Sequence, residues 1–142
     1  MLTQLLYTSD PVNLMTLDDL LEIQVVSMRN NARTNVTSIL LHAEGKLVQF
    51  LEGERNHLLE LFETIKRDDR HQHVRLLYHR PADARIFADW HMAMLDLDLH
   101  SDIERRHMRE LVHHAEHPGK RNGDPPADLE LLCRFRELLL TE

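Results

Sequence analysis

The stretch VTSILLHAEGKLVQFLEGE, residues 36–54, constrains the fold more than any other. It reads as two strands, 36–43 and 46–52, closed by a tight turn at Glu44 and Gly45. A helical pattern lies on each side of this hairpin. Upstream, Thr16 with Asp19 three residues on makes a helix N-cap, and Leu17, Leu21, Val25 and Met28 follow at helical spacing. That helix runs out near RNNAR, where asparagines favour a stop. Downstream, residues 55–67 form a second helix with Leu58, Phe62 and Ile65 on one face.

TQLLYTS (3–9) supplies a strand before the first helix, and VRLLYHRPA opens a fourth strand after the second helix. RIFADWHMAMLDLDL holds a fifth, on which alternation puts Trp90, Met92 and Met94 on one face. The resulting order is βαββαββ. Strand-helix-strand crossovers are right-handed almost without exception, so both helices cover the same face of one sheet. The predicted fold is an α+β, ferredoxin-like sandwich with its other sheet face bare.

The tail offers a cover for that face. Ser101 and Glu104 predict a capping box opening a helix that HPG stops near His117. KRNGDPPAD reads as a loop. A last helix from about Pro126 to Leu140 has Leu129, Leu132, Cys133, Phe135 and Leu139 as its apolar side. The predicted division is a sandwich over 1–97 and a helix-loop-helix extension over 98–142, packing on the sheet or on a partner. Those apolar helices also make a homo-oligomer an expectation.

A net charge of −7 and a pI near 5.8 argue against a direct nucleic-acid footprint. The N-terminus lacks a basic n-region, and no stretch is long and apolar enough to span a membrane. A cytoplasmic protein with no membrane partner is the expectation. The single cysteine, Cys133, cannot form an internal disulfide.

Within this frame, Gln49 stands in an apolar row between Leu47 and Leu51. A buried amide without partners costs about 1–3 kcal/mol, so it needs some. Tyr7 is on the central first strand and Gln49 on its neighbour. Asn31 ends the first helix, and Trp90 and Met92 are on the fifth strand. Each alone has a plainer reading, as core filler, helix cap or backbone partner. Together they place a phenol, two amides, a thioether and an indole around one apolar space. Such a set suits a flat heteroaromatic ring with carbonyls and nitrogens on its edge.

Here the sequence resembles the BLUF domains, blue-light sensors using FAD. The matching segments are LLYTS, RNNARTNVTSILLHAEGKLVQFLEGE, DDRHQHVRLL and FADWHMAML, covering about residues 1–97. The resemblance implies noncovalently bound FAD and no enzymatic activity. It implies that Tyr7 donates an electron and a proton to the photoexcited flavin. Gln49 would be the switch between that tyrosine and the flavin N5 and C4 carbonyl. Asn31 resembles the amide holding the ring edge, and Ser27, Asn30, Arg70 and His71 match other flavin-contacting positions. Trp90 and Met92 resemble the pair whose surroundings change with the glutamine, leading into the tail. The family commonly has glycine where this chain has Ser38. Output is expected to pass to a downstream signalling protein whose identity the sequence does not give.

Other readings fit less well. A flavin-free ferredoxin-like binding module is the alternative. A small hydrolase on this fold would want a phosphate-gripping loop with an arginine before the first helix, and SDPVNLMT has none. His113 and His117 are spaced to share a metal but lack an evident third ligand, and His71 and His73 are a second such pair. No metal is expected.

Overall fold

The computed structural model describes residues 1–117 and 127–141. Five strands and four helices follow in the order β1 (Leu2–Pro11), α1 (Leu17–Arg33), β2 (Thr37–Ala43), β3 (Lys46–Glu54), α2 (Arg55–Arg67), β4 (His71–Pro81), β5 (Ala93–Asp96), α3 (Asp102–Glu116) and α4 (Ala127–Thr141). They form one sheet of order β4-β1-β3-β2-β5. The first four strands pair antiparallel, while β5 joins β2 in parallel. This is the predicted α+β sandwich, with its fifth strand at the edge beside β2.

Local chemistry sets the boundaries. Glu44 and Gly45 both have positive φ, as a two-residue hairpin turn of type I′ requires, and Ala43 pairs with Lys46 across it. At the start of α1, the Asp19 N–H donates to Thr16 Oγ1 at 3.2 Å and the Thr16 N–H donates to Asp19 Oδ2 at 2.9 Å. The Glu54 carboxylate caps α2 by accepting from the N–H groups of Asn56 and His57.

Alternation along the strands divides the core. One sheet face carries Leu5, Tyr7, Leu40, Leu47, Gln49 and Leu51 and is covered by α1 and α2. The other carries Leu6, Ile39, Leu41, Val48, Phe50 and Leu95. Met108 and Leu111 of α3 and Leu131, Leu132 and Phe135 of α4 close over it. The tail helices therefore spend their apolar sides on their own sheet. Burying each large side chain there contributes about 1.5–3 kcal/mol.

Three sequence expectations change. The fifth strand is only four residues long, and residues 85–92 before it are irregular. Strand alternation therefore does not reach Trp90, whose ring lies edge-on to Phe87 at 6.3 Å in the core beneath α3 and α4. Met92 lies on the opposite side, packed with Leu20, Leu40 and Leu47. Ser101 precedes α3 without a side-chain cap; only backbone bonds from Glu104 and Arg105 reach its carbonyl. The stripe Leu17, Leu21, Val25 and Met28 faces solvent, while Leu20 and Asn31 are buried. The expected loop at 120–128, and the start of the last helix at Pro126, fall mostly outside the described residues.

Candidate functional site

Tyr7 and Gln49 are directly opposed across β1 and β3, so register alone brings phenol and carboxamide together. Tyr7 Oη donates to Gln49 Oε1 at 2.5 Å. Gln49 Nε2 in turn lies 3.3 Å from the Met92 sulfur. All three side chains are buried, at 4%, 4% and 3% exposure. The buried amide has its partners, but one of them is a thioether, a weak acceptor.

This chain of groups forms one wall of a cleft between α1 and α2. Its apolar walls come from Ile23, Leu40, Leu47, Leu61 and Ile65, and its polar edge from Ser27, Asn31 and Gln49. Arg70, Asp68 and His71 also line it. Mostly apolar walls with a few convergent polar groups are the usual make-up of a small-molecule site.

Burial, and secondarily the Asp68 carboxylate, push the Tyr7 phenol well above the ordinary tyrosine value, so it stays a neutral donor. The Asp68 carboxyl is itself held below the usual range, chiefly by the Arg70 guanidinium, which grips it as a fork with contacts of 2.5 and 3.0 Å. His71 stands edge-on to Tyr7 at 6.5 Å. Its Nε2 lies 2.6 Å from the Ile65 carbonyl, which can only accept, so Nε2 carries the proton. Its Nδ1 lies 2.8 Å from Ser9 Oγ.

Side chains of α1 and β2 tie down the segment carrying Met92. Asn31 Nδ2 donates to the His91 carbonyl at 2.8 Å, and Gln24 Nε2 donates to that of Met92 at 3.1 Å. Ser38 Oγ lies 2.9 Å from the His91 carbonyl and 3.1 Å from the Met92 sulfur. The hydroxyl at this position is thus completely buried and joins Asn31 to Met92.

Of the residues singled out in the sequence, Tyr7, Ser27, Asn31, Gln49, Arg70, His71 and Met92 line the cleft. Trp90 and Asn30 do not. Trp90 lies beneath the tail helices, as above. Asn30 is exposed: neighbouring helix residues point about 100° apart, so Asn31 facing inward turns Asn30 away. The histidines of both pairs have other partners. His73 pairs with Asp10, and His117 Nδ1 lies 3.0 Å from the His113 carbonyl.

Among the buried polar groups that no pattern of apolar spacing marks are Glu52 and His42. Glu52 is completely buried and accepts from the N–H groups of Ile86 and Phe87, both at 2.7 Å, and from Gln4 Nε2 at 3.2 Å. It anchors the irregular segment that leads to Trp90 and Met92. His42 is buried with its Nδ1 3.0 Å from Asp96 Oδ1. Asp98 lies close by and accepts from the Glu44 N–H, which completes a hydrogen-bonded clamp between β2 and the end of β5. A carboxylate inside an otherwise apolar strand was the available signal for Glu52.

A family model described as "BLUF: Sensors of blue-light using FAD" matches residues 2–93. The chain is 34% identical over 90 residues to the photoactivated adenylate cyclase subunit beta of Euglena gracilis, covering 63% of this chain and 10% of that protein. It therefore spans about a tenth of that relative's length. Among solved structures it resembles BlrB, a BLUF protein in its dark state. That match has TM-score 0.74 and 29% identity, covering 97% of this chain and 96% of the other. The photo-activated state of BlsA matches with TM-score 0.74 and 25% identity, covering 100% and 97%. No helix among the described residues is long and apolar enough to cross a membrane.

Proposed function

Because the chain belongs to the BLUF family, sensors of blue light using FAD, we propose that it is a photoreceptor holding FAD noncovalently in the cleft between α1 and α2. It is a sensor rather than an enzyme. The observation that carries the reading is the line of contact from Tyr7 through Gln49 to Met92 along one wall of that cleft.

A bound flavin would supply the blue-light absorption and the electron acceptor. The chain's own residues do the rest. Tyr7 would be the residue that lends an electron and its phenolic proton to the ring and takes both back; its raised pKa keeps that proton in place beforehand. Gln49 can exchange donor for acceptor by turning its carboxamide. In the arrangement described, Oε1 is committed to Tyr7 while Nε2 rests on a thioether. The reversed arrangement would offer Nε2 to Tyr7 and free Oε1 for a new donor. Met92 is the group that feels the difference first. Asn31 and Ser27 would hold the polar edge of the ring, and His71 would support Tyr7 from its far side. Arg70 would meet phosphate only by sharing or releasing Asp68.

Rearranging one or two buried hydrogen bonds supplies about 1–3 kcal/mol. A full two-state switch from 1:99 to 99:1 needs about 5.5 kcal/mol. Output is therefore a partial shift in affinity for a downstream signalling protein, carried from Met92 through β5 to the tail helices.

The test is to load the purified protein with flavin, release the cofactor by denaturation and identify it by mass. FAD, freed without covalent attachment, is expected; a chain that retains no flavin would overturn the reading. Gln49→Leu should keep the flavin and lose the light response, and Tyr7→Phe should block it. An unaltered photocycle in Gln49→Leu would refute the role given to that residue.

A further inference from the structure

The apolar residues of α1 that recur at helical spacing do not face the sheet. Leu17, Leu21, Val25 and Met28 are 44%, 42%, 56% and 46% exposed, and they form one continuous stripe. None of them lines the cleft, whose α1 contacts are Ile23, Ser27 and Asn31. Nor can the tail helices cover the stripe, because their apolar sides are already spent on the opposite sheet face.

Charge along the same helix indicates what does cover it. Asp18 and Glu22 are near the start of α1, and Arg29 and Arg33 near its end. At about 100° per residue, all four fall on the same flank of the stripe. Asp18, Arg29 and Arg33 are exposed and make no ion pair among the described residues. When two helices pack antiparallel, like flanks meet, and flanking charges set orientation and register. A helix acidic at one end and basic at the other along one flank is therefore complementary to its own reversed copy.

We propose that two copies of this chain associate through α1, the helices antiparallel about a twofold axis near the middle of the stripe. Leu21 of one copy then packs near Val25 of the other, and Asp18 faces Arg29, each contact occurring twice by symmetry. A single helix pair is at the small end of specific interfaces, below about 1,200 Å² in total, so the dimer is weak and concentration-dependent. The inner side of the same helix supplies Ser27 and Asn31 to the cleft, which puts the interface one helix thickness from the proposed flavin site.

Sedimentation velocity on the full chain, across micromolar to millimolar concentration, tests this. The wild-type chain should move from monomer to dimer. Val25→Glu, at an exposed position, should stay monomeric throughout with an unchanged far-ultraviolet circular dichroism spectrum. Asp18→Arg and Arg29→Asp should each weaken the dimer about tenfold, since symmetry counts the lost pair twice. The combined Asp18→Arg/Arg29→Asp chain should recover wild-type affinity. A wild-type chain that is monomeric at every concentration would overturn the proposal, as would a dimer indifferent to Val25→Glu. Failure of the combined substitution to restore affinity would overturn the antiparallel arrangement.

Discussion

Replacing Glu52 with alanine tests whether the segment before β5 is held by a buried carboxylate. Its two oxygens accept from the Ile86 and Phe87 N–H groups at 2.7 Å and from Gln4 Nε2 at 3.2 Å. The alanine variant leaves those donors facing an apolar interior. An unpaired buried donor costs about 1–3 kcal/mol, and bonds to a charged acceptor are at the stronger end. Against this stands the relief of no longer desolvating a carboxylate, a cost of several kcal/mol that pairing had offset. The expected net loss is about 2–4 kcal/mol. For a chain of this size each kcal/mol lowers the melting temperature by roughly 3 °C, so a fall of about 6–12 °C follows. Thermal unfolding followed by circular dichroism measures it. The segment should also loosen, so amides of residues 85–92 should exchange hydrogen faster than in the wild type. A melting temperature within about 2 °C of wild type, with unchanged exchange over 85–92, would refute the anchoring role.

Two further outcomes follow from the site. Tyr7 has its folded pKa raised, so its neutral form stabilises the fold fully below the unfolded value near 10; that stability is lost as pH climbs beyond it, because only the unfolded phenol ionises. Urea unfolding between pH 9 and 11 should therefore show a shallower decline for Tyr7→Phe than for wild type, by up to about 1.4 kcal/mol per pH unit; equal slopes would contradict the buried phenol. Ser38→Ala removes the hydroxyl that reaches the His91 carbonyl and the Met92 sulfur, and should cost about 0.5–1.5 kcal/mol in chemical denaturation. A cost near zero would mean that the segment's other bonds hold it without this hydroxyl.

Much of the fold is legible in residues whose local and long-range preferences agree. The Glu44–Gly45 turn fixes the β2–β3 hairpin, and the Thr16–Asp19 capping box starts α1 where the sequence places it. The opposition of Tyr7 and Gln49 follows from βαββ order once β1 and β3 are neighbours. Periodicity identifies a helix without saying which of its faces packs. On α1 the inward face carries Gln24, Ser27 and Asn31, which hydrogen-bond the backbone at 91–92 or border the cleft, so the apolar stripe points outward. Strand alternation fails at Trp90 because residues 85–92 are not a strand. A carboxylate clamp at Glu52, invisible to any pattern of apolar spacing, gives that irregular segment its path.

The visible absorption spectrum of the flavin-loaded chain, recorded before and after blue illumination, tests most directly whether Tyr7 and Gln49 form a light-driven switch. A small displacement to longer wavelength that reverses in the dark, and that Gln49→Leu abolishes, is the predicted result. Superimposable spectra from the loaded wild-type chain would contradict it.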